Sequence, residues 1–68
     1  MKIKEFDAWI ARDKDCTLTL FVEDKPIKTS FDWLPQGNCF THFKSEYFPE
    51  VKWEDKEPTK VKLTVEKV

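Results

Sequence analysis

From Thr59 to Val68 the chain reads TKVKLTVEKV, and apolar and polar residues alternate along it. A period of two belongs to a β-strand, where successive side chains leave opposite faces. Val61, Leu63 and Val65 are therefore expected on a buried face, with Lys60, Lys62, Thr64 and Glu66 in water. One buried face and one wet face call for antiparallel pairing. Outward lysines suit an edge strand protected against open-ended association.

Two more segments carry the same period. Phe6 to Arg12 (FDAWIAR) places Phe6, Ala8 and Ile10 on one face and Trp9 and Ala11 on the other, so apolar groups cover both sides and a central position is expected. Thr17 to Val22 (TLTLFV) places Leu18, Leu20 and Val22 inward, opposite Thr17, Thr19 and Phe21. The polar loop Asp13-Lys14-Asp15-Cys16 between them predicts a β-hairpin, with Trp9 and Phe21 paired on the second face.

The remaining elements are short. Asp24-Lys25-Pro26 is a turn signal, followed by a short strand over Ile27 to Trp33 with Phe31 and Trp33 sharing a face. Pro35-Gln36-Gly37-Asn38 is a second turn, and Cys39 to Phe43 reads as a strand. Lys44 to Glu50 is the one helical candidate: Ser45 caps a single turn through Tyr47, and Pro49 ends it. Val51 to Trp53 is expected to be extended, Glu54 to Pro58 a charged loop, and Met1 to Lys4 a frayed start with Ile3 pinned. The expected class is mainly β, or α+β at most: a small twisted antiparallel sheet of 4–5 strands with one short helical turn, forming a single small domain over residues 1–68.

Composition narrows the function classes. Three Trp, one Tyr and six Phe in 68 residues, with a net charge of -1, argue against disorder. A single glycine leaves no P-loop and no dinucleotide-binding fingerprint, both of which need several glycines for close approach to phosphate. Balanced charge does not mark a general binder of the phosphate backbone. No apolar run is long enough for a membrane-spanning helix. Lys2, Lys4, Glu5 and Asp7 break any signal-peptide core, so a cytoplasmic location is expected.

Candidate chemistry is sparse. Cys39-x-x-His42 with distant Cys16 is the nearest approach to a zinc site, but a structural site needs four ligands, and on a strand Cys39 and His42 point apart. A Cys16–Cys39 disulfide is disfavoured in a reducing cytosol. A Cys–His nucleophile pair lacks a cleft and an oxyanion region in so short a chain. The reading assigns no catalytic, cofactor or metal residues and no cofactor, and the protein is taken as a non-enzyme. The acidic residues Glu54, Asp55 and Glu57 beside Trp53 read as a solvated loop or as a binding loop for a basic partner. Most aromatics are needed for a core this small, but those beside turns (Trp33, Tyr47 and Trp53) are candidates for an exposed partner-binding patch.

Two blocks, AWIARDKDCTLTLF (Ala8 to Phe21) and YFPEVKWEDKEPTKVKL (Tyr47 to Leu63), resemble a group of small uncharacterised bacterial proteins associated with gut Bacteroidetes-type genomes, phages and mobile elements. The blocks cover about half the chain, and FPEVKWEDKEP is the more distinctive. The resembling sequences carry Gly where this chain has Cys16. The group has no assigned activity, so the resemblance transfers no functional residue. It implies an intracellular accessory protein encoded by a phage or mobile element.

The sequence therefore points first to a module that binds another protein through Trp33, Tyr47, Trp53, Glu54, Asp55 and Glu57, with a homodimer as a special case. The alternatives are a nucleic-acid-binding accessory protein using Lys52, Lys60, Lys62 and an exposed Trp, and an acidic inhibitor of a host nuclease or defence complex in which Glu54, Asp55 and Glu57 imitate phosphates.

Overall fold

Strand β1 (Lys2–Arg12) forms the middle of the protein, because its two apolar faces can both be covered only there. The computed structural model describes residues 2–68. Around β1 are β2 (Leu18–Val22), β5 (Phe40–Phe43) and β6 (Thr59–Lys67), in a four-stranded sheet of order β5-β2-β1-β6. Every neighbouring pair is antiparallel. Strands β3 (Ile27–Lys28) and β4 (Trp33–Leu34) make a separate two-stranded ladder. The mainly β antiparallel class is thus as the alternation predicts.

The β1–β2 hairpin has the expected register, with Trp9 opposite Phe21 and Ile10 opposite Leu20. Its loop is closed by the Asp13 N–H to the Thr17 carbonyl at 2.8 Å and the Cys16 N–H to the Asp13 carbonyl at 2.9 Å. Asp15 Oδ1 accepts from the Thr17 N–H at 3.0 Å. Cys16 takes φ 78, the left-handed position that glycine fills in many such loops.

Apolar packing follows the alternation on both faces. On the first face Ala8, Ile10, Leu18, Leu20 and Val22 are buried together with Val51, flanked by half-buried Phe6, Phe43, Val61 and Leu63. On the second, Ala11, Phe21 and Trp33 are buried, with Trp53 packed against them. All five residues of β2 are buried, so that strand is covered on both sides.

Several expectations are corrected. The start of the chain is not frayed from Lys2 to Lys4: Lys2 pairs with Lys67, Ile3 with Glu66 and Lys4 with Val65. (Met1 lies outside the described residues.) Local propensity there is poor, but β6 supplies a ladder that no short window of sequence reveals. Because β2 pairs only with Ala8 to Arg12, the β1–β6 ladder continues beyond it as a two-stranded ribbon, in a molecule measuring 42 × 24 × 16 Å. Val65, expected inside, lies on that ribbon and is 50% exposed.

The expected strand over Ile27 to Trp33 is instead a turn between β3 and β4. Thr29 Oγ1 accepts from the Phe31 and Asp32 N–H groups at 3.1 and 3.0 Å and donates to Asp32 Oδ1 at 2.6 Å. Such local side-chain bonds reverse the chain. Phe31 therefore turns outward, 71% exposed, while Trp33 enters the second core.

The helical turn over Lys44 to Glu50 is replaced by two tight turns, Lys44–Tyr47 and Phe48–Val51, closed by N–H···O bonds of 3.0 and 2.9 Å. Pro49 disfavours the right-handed helical region for Phe48, which takes φ 50. The Ser45, Tyr47 and Phe48 carbonyls, which a helix would direct along its own axis, accept from Arg12 instead. Val51 and Lys52 belong to no strand, and Trp53 begins a turn.

Candidate interaction surface

Arg12 organises the first face. Its Nε–H donates to the Val51 carbonyl at 2.7 Å, Nη1 donates to the Cys16 and Ser45 carbonyls at 3.0 and 2.9 Å, and Nη2 donates to the Tyr47 and Phe48 carbonyls at 3.0 and 3.3 Å. A guanidinium has five N–H donors in a rigid plane, and here the contacts match that number. The result is a clamp that presses the Ser45–Val51 loop onto the sheet and brings Val51 into the core.

That loop makes one wall of an apolar groove of about 310 Å³. Ile10 and Leu20 form its floor, Phe43 and Phe48 one side, and Val61 and Leu63 the other. Phe43 stacks at a tilt against Phe48 and Tyr47, with both centroid separations 6.1 Å. Phe48 and Tyr47 remain 42% and 47% exposed, so the aromatic wall faces solvent.

On the opposite face, Lys28 does for the 52–55 turn what Arg12 does for the other loop. Its Nζ donates to the Trp53 and Asp55 carbonyls at 2.7 and 2.9 Å and stands 4.2 Å from the Trp53 ring centroid and 5.5 Å from that of Trp33. An ammonium between two indole rings gains cation–π attraction where it has lost water. The Trp33 Nε1–H is buried and has no hydrogen-bond partner, which leaves a polar group uncompensated in the second core.

A second, open cleft of about 670 Å³ lies between the hairpin loop and the Pro49–Glu54 segment, bordered by Asp13, Lys14, Cys16, Trp53 and Glu54. Asp13 Oδ1 accepts from the Trp33 backbone N–H at 2.9 Å. Partial burial raises the Asp13 pKa, and the nearby Asp32 and Asp15 carboxylates add to the rise, while the bond from Trp33 opposes it. The Asp15 pKa is lowered, chiefly by the Thr17 N–H bond.

Of the six residues expected to form one patch, the structure packs Trp33 and Trp53 together under Lys28 and sets Tyr47 apart from them on the other face. Tyr47 belongs to the aromatic wall of the first face. Trp53 and Glu54 border the second cleft. Trp33 is 5% exposed and so is not available to a partner. Glu57 pairs with Lys25 at 2.9 Å, and Asp55 Oδ2 accepts from the Lys52 N–H at 3.0 Å. Phe43 and Phe48, which the sequence offers as core or as aromatic platforms for nucleic acid, and Val61 and Leu63, which alternation places inward, together shape the groove. The Phe48-Pro49 pair is the one signal that could have found it, since it forces the turn that holds Phe48 outward.

The Cys–His constellation is dispersed. His42 Nδ1 lies 3.0 Å from Thr19 Oγ1, and Cys16 and Cys39 are both exposed free thiols. Among the described residues no group of three His, Cys, Asp or Glu is placed to hold a metal, and no helix is long and apolar enough to cross a membrane. No family model, curated protein or solved structure matches the chain.

Proposed function

We propose that this chain is a non-enzymatic protein-interaction module whose first-face groove receives apolar side chains of another protein. The observation that carries the reading is the groove itself: a sheet floor of Ile10 and Leu20 between an exposed aromatic wall and Val61 and Leu63. An open apolar trough with aromatic sides gains from desolvation when a partner's side chains fill it. Its lining suits burial of side chains rather than proton transfer. The module acts inside the cell as an accessory protein, in keeping with the phage or mobile-element context that the resemblance implies.

The charge distribution supports this reading over the two alternatives. Lys60 lies 3.8 Å from Asp7 and Lys62 lies 3.9 Å from Glu5, so these two lysines are compensated by β1 instead of forming a basic stripe. Glu57 and Asp55 are engaged by Lys25 and by the Lys52 N–H, so the acidic loop is partly neutralised as an imitation of phosphates.

The test is capture of partners by tagged protein from the native cells after nuclease treatment, alongside Phe48→Asp. Asp tolerates the left-handed backbone at this position better than most residues. The expected result is one dominant protein whose recovery falls at least tenfold with the variant, while circular dichroism shows the fold intact. Recovery that vanishes with nuclease would assign the surface to nucleic acid, and equal recovery by the variant would remove the groove from the interaction.

A further inference from the structure

Strand β6 lies at one end of the sheet, pairs with β1 on one side only, and runs nine residues from Thr59 to Lys67. From its pairing and burial we infer that two copies of the chain associate through this edge, β6 against β6, antiparallel and centred on Leu63. The sequence of β6 is self-complementary over its whole length in that register. With Leu63 opposite Leu63, Val61 meets Val65 of the second copy, Lys60 meets Glu66, Lys62 meets Thr64, and Thr59 meets Lys67. All nine residues are paired.

Both faces agree with the register. Val61, Leu63 and Val65 stand opposite Ala8, Phe6 and Lys4 of β1 and share the first face. A two-fold axis perpendicular to the sheet keeps that face on one side in both copies, so the three residues join in an apolar row across the new seam. The row covers Val65, which is half exposed in the single chain. On the second face the Lys60–Glu66 pair occurs twice by symmetry, and opposite charges directly across antiparallel strands are favourable.

Other registers are worse. A shift of one residue inverts the faces. A shift of two in one direction sets Lys62 directly opposite Lys62; in the other it keeps Lys62–Glu66 and Leu63–Val65 pairs but sets Val61 opposite Lys67 and leaves Thr59 and Lys60 without partners in β6. In the centred register the two Lys62 chains are diagonal neighbours, and each keeps Glu5 at 3.9 Å. The centred register is favoured because it alone pairs all nine residues and joins all three apolar side chains, while the lysines exclude the shift that sets Lys62 against Lys62. The contact closes on itself, giving a continuous sheet with β5 at both ends and no open filament. One strand pair is a small interface, so association is of the weak, concentration-dependent class.

This pairing uses the backbone edge of β6 and does not need the groove's partner, although Val61 and Leu63 belong both to the groove and to the seam. Sedimentation equilibrium from micromolar to millimolar protein tests it, together with Glu66→Lys, Lys60→Glu and an equimolar mixture of the two variants. Wild-type protein is expected to reach twice the 8.2 kDa chain mass. Each variant alone sets like charges opposite at both Lys60–Glu66 contacts and should dimerise at least about tenfold more weakly. The mixture restores both pairs and should form a heterodimer of wild-type strength. A monomer throughout the range, undiminished dimerisation of either variant, or a mixture no tighter than its components would overturn the proposal. A dimer abolished by Phe48→Asp but not by Glu66→Lys would assign the association to the groove and also overturn it.

Discussion

The Arg12 Nε–H donates to the Val51 carbonyl at 2.7 Å and so joins the end of the central strand to a loop 39 residues further along the chain. Arg12 meets four further carbonyls in the same way, and Val51 fills the first core beside it. One side chain on β1 thus places the aromatic wall of the groove.

Arg12→Lys should loosen that wall. An ammonium keeps the charge but cannot span the same set of carbonyls from one nitrogen. The expected loss is about 2 kcal/mol in urea denaturation. Amide exchange should accelerate at Tyr47 and Val51, whose N–H groups close the two turns. Unchanged exchange there would show that the turns hold without the clamp.

Cys16→Gly should stabilise the protein. A residue with a Cβ costs roughly 1–2 kcal/mol in the left-handed conformation, and Cys16 has φ 78. Some of this is returned through the freer unfolded chain, which leaves a net gain of about 1 kcal/mol. Cys16→Ala keeps the Cβ and should give no comparable gain, so the pair of denaturation midpoints separates backbone strain from any role of the thiol.

Lys28→Met should release the 52–55 turn while preserving much of the aliphatic packing. The loss is about 1–2 kcal/mol, from two charge-assisted bonds to carbonyls and the contact with the Trp53 ring. Tryptophan emission should shift to the red as Trp53 becomes more hydrated. A spectrum and midpoint identical to wild type would exclude the clamp as a stabilising contact.

Asp13→Asn should raise stability at neutral pH and not at acid pH. Partial burial, with Asp32 and Asp15 nearby, raises the folded-state pKa of Asp13. A raised pKa means that the folded chain binds its proton more tightly than the unfolded one. Stability from this group is therefore full below the unfolded pKa and is lost as pH rises through the folded one. Asn removes the charge and retains an oxygen for the Trp33 N–H. Its advantage over wild type, measured by denaturation at a series of pH values, should shrink as pH falls through the carboxylate range. An advantage that grew on acidification would reverse the assignment. Asp15, with its lowered pKa, acts in the opposite sense, contributing stability above its unfolded pKa and losing it as pH falls through the folded one.

Alternation and turn chemistry determine a large part of this protein. Ala8 to Arg12 and Leu18 to Val22 pair as a period of two and a four-residue polar loop require, and β6 follows the pattern of its own lysines and valines. Those signals are local, so a single strand and its neighbouring turn suffice to read them. Only the tertiary structure decides where Lys2 to Glu5 go, because their ladder partner is Thr64 to Lys67 at the other end of the chain. It also decides that Ser45 to Phe48 form turns instead of a helix, since the carbonyls that would close a helix bond to Arg12. Trp33 and Tyr47 look alike in sequence, each an aromatic beside a turn, yet Thr29 reverses the chain so that Trp33 is buried, while the Arg12 clamp leaves Tyr47 half exposed against Phe43. Exposure of an aromatic is set by what packs over it, and in this fold the covering segments come from distant parts of the chain.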